Sequence, residues 1–415
     1  NFFFSFFFQS ISQPMKQYQI NLITFCFLIS IVFAGKYNNL VKKPPMGWNS
    51  WNQFKCNISE RLIKDTAQAL VSSGLAKHGY NYVNIDDCWQ ASERDAQGRL
   101  QPNPERFPSG MKSLADYVHS LGLKIGIYSD VSFLTCQGFP GSGLDHYQID
   151  AETFSSWGID YLKLDFCHRT HNITAEPWVF YEKMSKALLE APRDIVFSIC
   201  EWGWKQPWLW APNISNLWRI HVDISPWYAE VVNIIDESAR LSEYASVGGY
   251  NDPDMLEVGV KGHILNADDL PKSELTQRES QTHFSFWCLL SSPLILGNDL
   301  SNMDQWVFDI IANPLAIEIN QDPLVQQGIR VNQTIVAPYQ HTQIWTKTLI
   351  DGYAAIFWNV GDVFDQNNPH VSSYDLTLYW RQLNVSPQQK FQVIDINAQK
   401  QLGTFQKQFT AKSVL

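Results

Sequence analysis

Carboxylates recur in this chain at the ends of short apolar runs. Asp86 and Asp87 follow Tyr82–Ile85, Tyr128 and Asp130 end the run from Lys124, and Asp165 stands between Lys163 and Cys167. Glu201 and Trp202 come soon after Ile195–Ile199, and Asp223 follows Leu217–Val222, which contains Arg219. Asp252 and Asp254 follow a weak run near Ser246–Gly249, Asn298 and Asp299 follow Leu294–Leu296, and Trp51 trails Met46–Trp48. Such a set suits glycoside cleavage, which needs two carboxylates flanking the scissile bond, further acceptors for hydroxyls and aromatic faces for the ring. A divalent-metal site also gathers carboxylates, but no His-x-x-x-His or Cys-x-x-Cys pair accompanies these, and His168 and His171 lie in a polar stretch. Acidic residues that solvate a loop rim or cap helices are the third reading. The pattern alone leaves all three open.

Side chains at the ends of separate runs act together only if those ends converge. Between the runs lie amphipathic stretches: Ser59–Ser73, Gly110–Leu121, Glu152–Trp157, Glu176–Glu190, Tyr228–Leu241 and Ser280–Leu290. Ser59 is suited to cap the first and Gly74 to end it. Eight strand-like runs alternating with helices predict a parallel sheet closed as a (β/α)8 TIM barrel over residues 35–324, with its chemistry where strands end and loops begin. After Asn320-Gln-Asp-Pro323 the text changes to β-branched and aromatic runs at Ile329–Val331, Thr334–Ala337, Gln343–Thr348, Tyr353–Asn359, Ser373–Leu378 and Gln392–Ile396. These predict a C-terminal antiparallel β-sandwich domain over 325–415.

The 415 residues are 45% hydrophobic and 17% charged, enough for a large core and against a disordered or collagen-like chain. A net charge of −10 with no Lys/Arg tract argues against a nucleic-acid partner. The first methionine is Met15; Lys16, the apolar stretch Leu22–Ala34, and small residues at −3 and −1 (Val32, Ala34) have the form of a secretory signal peptide. Leu22–Ala34 is too short to span a bilayer. Residues 1–34 are therefore expected to stand outside the fold, with 1–14 ahead of the true start, and the mature chain to have no membrane span. The secretory pathway, ending in export or in a lysosome-like vacuole, permits disulfides among Cys56, Cys88, Cys136, Cys167, Cys200 and Cys288. Their spacing does not choose among 15 pairings. Asn57, Asn172, Asn213, Asn332 and Asn384 begin glycosylation sequons.

Eight segments then narrow the reading. PPMGWNSW (Pro44–Trp51), NIDDCW (Asn84–Trp89), RFPSGM (Arg106–Met111), GLKIGIYSDV (Gly122–Val131), DYLKLDFC (Asp160–Cys167), CEWG (Cys200–Gly203), YNDPDML (Tyr250–Leu256) and INQDPL (Ile319–Leu324) fall in series. Together they resemble the α-galactosidases of glycoside hydrolase family 27. The resemblance implies a retaining hydrolase of terminal α-D-galactosides, with Asp165 as nucleophile and Asp223 as acid/base; Asp236 is the poorer alternative for the second role. It implies that Asp86 and Asp87 bind galactose hydroxyls, with Trp51, Tyr128, Cys136, Lys163, Arg219 and Asp254 completing the pocket. It also implies the disulfides Cys56–Cys88 and Cys136–Cys167, leaving Cys200 unpaired and Cys288 as a core thiol.

Glu201 with Trp202 and Trp204 favours a plain 2-hydroxyl by bulk and hydrogen bonding, where the α-N-acetylgalactosaminidase branch has small residues. That branch is the alternative activity, and a catalytically silent sugar-binding protein is the alternative class; intact Asp165 and Asp223 argue against the latter. No cofactor signal or metal-ligand set is present. α-Galactosides of oligosaccharide, glycolipid or glycoprotein origin are the expected partners, and a homodimer is left open.

Overall fold

The computed structural model describes residues 4–10, 40–143, 145–168, 176–262, 274–337, 340–361 and 372–414. Met15, Cys26, Ala34, His171 and Asn172 lie outside these residues. Strand β1 (Phe4–Ser10) belongs to the C-terminal sheet. The barrel runs through β2 (Met46–Asn49), β3 (Tyr82–Asn84), β4 (Lys124–Asp130), β5 (Tyr161–Asp165), β6 (Val196–Ile199), β7 (Leu217–Arg219), β8 (Tyr250–Asp252) and β9 (Leu294–Leu296). All neighbouring pairs are parallel, and β9 returns to pair with β2. A parallel bridge from Leu256 to Leu296, with the Leu256 amide donating to Ile295 at 2.8 Å, carries the sheet around to its start. This is the TIM-like architecture expected.

Helices cover the sheet because their apolar stripes match it. In α2 (Glu60–Ser72), Ser59 accepts from the Leu62 amide at 3.2 Å, and Ile63, Ala67 and Leu70 turn inward at helical spacing. The short α1 (Trp51–Phe54) precedes it; α3 (Gly110–Ser120), α4 (Tyr147–Trp157), α5 (Pro177–Glu190), α6 (Tyr228–Ser238) and α7 (Gln277–Leu289) follow. Two helices absent from the sequence reading, α8 (Gln305–Ile311) and α9 (Pro314–Asn320), complete the outer layer. Asn313 caps the second, accepting from Leu315 and Ala316. Strand β8 lies just past the weak run expected there. Ser246–Gly249 forms a tight turn, while the strand itself is polar: Asn251 accepts from Trp218 at 2.7 Å and donates to Gln327 at 2.7 Å.

The C-terminal domain contains β10 (Ile329–Ala337), β11 (Gln340–Leu349), β12 (Gly352–Asn359), β13 (Tyr374–Tyr379), β14 (Lys390–Asp395), β15 (Lys400–Gln406) and β16 (Gln408–Val414). A six-stranded sheet in the order β10-β11-β12-β1-β14-β15 is faced by the pair β13-β16. Phe357, Leu378, Trp380, Phe391, Val393 and Phe409 fill the space between. Strand β1 corrects the expectation that residues 1–34 stand wholly outside the fold. It is antiparallel to both β12 and β14, with Phe6 and Phe8 turned into the sandwich core and Phe7 packed on the other face against the barrel core. A strand covered on both faces has no polar alternation to betray it. Among the described residues no helix is long and apolar enough to cross a membrane.

Candidate active site

The carboxylates collected from the sequence converge at the strand ends. Asp165 is the last residue of β5, in register with Asp130 on β4. Its side chain is buried, 5% exposed, and is held at both oxygens: the Tyr128 hydroxyl donates to Oδ2 at 3.0 Å, and the Phe166 amide donates to Oδ1 at 2.9 Å. Cys136 and Cys167 form one disulfide, and its Cys136 Sγ lies 3.6 Å from Asp165 Oδ2. Cys56 and Cys88 form the other; Cys200 and Cys288 are free and buried, as expected. Asp130, Cys136, Asp165 and Cys167 bring four metal-type donors together, but the disulfide withdraws both sulfurs from ligation.

Lys163 lies two residues before Asp165, hence on the same face of β5. Its ammonium donates to Asp86 Oδ2 at 2.9 Å, beside the Asn49 amide nitrogen, which donates to the same oxygen at 2.8 Å. Burial lowers the proton affinity of Lys163, but the charges of Asp86 and Asp165 raise it well above the ordinary lysine range, so it remains an ammonium. Asp87 is fixed by the amides of Cys88 at 2.7 Å and Gln137 at 2.9 Å; burial outweighs these bonds and lifts its carboxyl. Asn49 escapes the sequence reading although it lies within the GWNSW segment, because an amide carries no charge pattern.

On the other side of the mouth, Arg219 at the end of β7 divides one nitrogen between two carboxylates. Its Nη2 stands 2.9 Å from Asp223 Oδ1 and 2.7 Å from Asp254 Oδ2. Asp254 also receives the amides of Ile224 at 2.9 Å and Met255 at 2.8 Å, which ties the loop after β8 to the loop carrying Asp223. The Asp223 side chain is 64% exposed, so it is presented to solvent from a rigid base. Asp236 lies elsewhere: α6 turns it to Arg330 at 2.5 Å and Gln343 at 3.0 Å in the C-terminal sheet.

The two central carboxyls are shifted in opposite directions. Burial pushes Asp165 up to about 6, against the pull of Lys163 and with the charge of Asp223 adding to the rise. At Asp223 the partial loss of water within the mouth also acts upward, but the charges of Arg219 and Lys163 outweigh it and hold the exposed carboxyl below the usual range. Glu201 is buried after β6, its Oε1 accepting from the Lys205 amide at 2.8 Å. Trp202 and Trp204 meet edge to face at 4.8 Å, with Trp204 48% exposed. Asp299, by contrast, caps the turn at Leu300–Asn302 and takes no part.

A family model described as "Alpha galactosidase A" matches residues 43–322. The chain is 43% identical over 376 residues to alpha-galactosidase 2 of Arabidopsis thaliana, covering 90% of this chain and 87% of that protein. Its structure is similar to the crystal structure of alpha-galactosidase I from Mortierella vinacea, with a TM-score of 0.80 and 37% identity, covering 90% of this chain and 95% of that one. It is also similar to an α-galactosidase from Saccharomyces cerevisiae determined with raffinose, with a TM-score of 0.77 and 26% identity, covering 91% and 97%.

Proposed function

The chain belongs to the alpha galactosidase A family, and from that premise we propose that it hydrolyses terminal α-D-galactosides by two displacements at Asp165. The observation that carries the role is the setting of Asp165, a buried carboxylate gripped by Tyr128 and the Phe166 amide and flanked by the Lys163 ammonium. In the first step its oxygen attacks the anomeric carbon as the glycosidic bond breaks, and Asp223 gives its proton to the leaving oxygen. The product is a galactosyl ester of Asp165 and a free alcohol. In the second step Asp223 takes a proton from water, the water oxygen attacks the same carbon, and Asp165 leaves as a carboxylate. Two inversions return the starting configuration.

Asp223 is exposed at the mouth, and a bound glycoside strips water from it and raises its carboxyl toward the protonated form that the first step needs. Asp86, Asp87 and Asp254 offer acceptors for galactose hydroxyls; Lys163 and Arg219 offer donors, and Trp51 with Cys136 provides apolar walls. Buried Glu201 beside Trp204 supports a plain 2-hydroxyl, so the α-N-acetylgalactosaminidase alternative is not favoured. The two disulfides support passage through the secretory pathway, to export or to a vacuole. Exposed Asn57, Asn213, Asn332 and Asn384 support glycosylation.

The test is proton NMR of the galactose first released from an aryl α-galactoside. The α-anomer is expected; first release of the β-anomer would refute the double displacement.

A further inference from the structure

The loop that follows β6 leans on the loop that carries Asp223, and it does so through a glycine. After Ile199 the chain turns twice with a left-handed backbone, at Trp202 with φ 58° and at Gly203 with φ 78°. The turn is braced by its own bonds: Glu201 Oε1 accepts from the Lys205 amide at 2.8 Å, and the Gln206 amide donates to the Gly203 carbonyl at 3.3 Å. A Cβ at Gly203 would stand 2.2 Å from the Ile220 carbonyl oxygen and 3.3 Å from the His221 nitrogen. Real Cβ atoms do not come so close to backbone, so any side chain there must displace one loop or the other.

Anchors on either side of the contact decide where a push would go. The Ile220 amide donates to the Asp252 carbonyl on β8 at 3.0 Å, which fixes the peptide before it. Further on, the Ile224 amide is held by Asp254 Oδ2 at 2.9 Å. Displacement of the Ile220 carbonyl is therefore taken up between these two anchors, by residues 221–223. Arg219 Nη2 meets that segment twice, at the His221 carbonyl (3.3 Å) and at Asp223 Oδ1 (2.9 Å), so its ion pair with Asp223 would be disturbed. Asp165 is held by Tyr128 on β4 and by the Phe166 amide, bonds that lie outside this pair of loops.

We propose that Gly203 is a positioning residue for Asp223: its bare backbone lets the loop after β6 abut the Ile220 carbonyl, and this contact holds the acid/base where the leaving oxygen needs it. This rests on the role of Asp223 proposed above. The experiment compares wild type, Gly203→Ala and Asp223→Ala in the full chain. It measures kcat/KM on methyl α-galactoside, whose leaving alcohol needs a proton, and on a nitrophenyl α-galactoside, whose leaving group needs little help. Misplacing a reacting group by about 1 Å costs on the order of a hundredfold in the step that uses it. The alkyl-to-aryl ratio is therefore expected to fall by roughly ten- to a hundredfold in Gly203→Ala, in the same direction as in Asp223→Ala. A purely structural role, or a role in galactose binding, lowers both rates together and leaves the ratio alone. With the ratio lowered in Asp223→Ala, an unchanged ratio in Gly203→Ala would overturn the inference and leave the galactosidase reading intact. A wild-type ratio in Asp223→Ala would overturn the role of Asp223, and the inference falls with it. Should Gly203→Ala not fold, Gly203→Asn carries the same comparison, because asparagine tolerates a left-handed backbone and still brings a Cβ to Ile220. A fallen ratio there supports the inference and an unchanged one overturns it.

Discussion

The hydroxyl of Tyr128 on β4 donates to Asp165 Oδ2 on β5 at 3.0 Å, a bond between neighbouring parallel strands whose register pairs Tyr128 with Lys163. A hydrogen bond to the charged form stabilises it, so Tyr128 opposes the burial that pushes Asp165 up. Tyr128→Phe is expected to lower kcat/KM by roughly ten- to a hundredfold, the scale of a lost bond to a charged group. It should also move the acidic limb of the pH profile upward. Steady-state kinetics over pH reads both.

The limb itself follows from the sign of the Asp165 shift. The nucleophile must be ionised, and its carboxyl titrates near 6 in the free protein. With a nitrophenyl galactoside, whose leaving group needs little help from the Asp223 proton, kcat/KM should therefore fall as pH drops through about 6, whereas an unperturbed aspartate would keep activity down to about 4. Measurement of kcat/KM with a nitrophenyl galactoside between pH 3 and 8 checks this.

The same shift makes Asp165 a cost to the fold. A carboxyl raised from 3.8 to about 6 leaves the native state fully favoured only below the lower value. Stability is lost as pH rises from about 4 to 6 and is level above that. Asp165→Asn removes the buried charge and keeps an acceptor for Tyr128. The variant is expected to bind galactose, to lose turnover, and to gain on the order of 1–3 kcal/mol at pH 7, a gain that vanishes near pH 3. Denaturant unfolding at the two pH values measures it.

Asp223→Ala should reveal its role through the leaving group. General acid assistance matters most when the departing alcohol is weakly acidic, so hydrolysis of an alkyl or sugar galactoside should fall by about 10²–10⁴. An activated aryl galactoside should keep far more of its first-step rate. Azide, which needs no base to attack, should accelerate the second step and yield galactosyl azide, detectable by chromatography.

Much of this is legible in the chain because the functional groups are tied to strand ends. Asp165, Lys163 and Tyr128 follow runs whose hydropathy marks the strand, and position after a strand fixes which mouth they face. Strand β8 begins later than its weak apolar run suggests because Asn251 and Asp252 give it a polar text, and only the partners Trp218 and Gln327 make such a strand stable. Strand β1 is hidden from a local reading because its neighbours, β12 and β14, are more than 340 residues away along the chain. Asn49, at the end of β2, carries no signal of its own: its place in the site depends on Asp86 standing beside it after β3, and spacing does not report that.

The central claim is that Asp165 becomes covalently attached to galactose. It is tested most directly by incubating the protein with a fluorinated α-galactoside that slows the second step, followed by peptide mass spectrometry. One galactosyl adduct per chain is expected on the peptide Asp160–Cys167, located at Asp165. Stoichiometric labelling at Asp223, or turnover of that probe with inversion and no adduct, would contradict it.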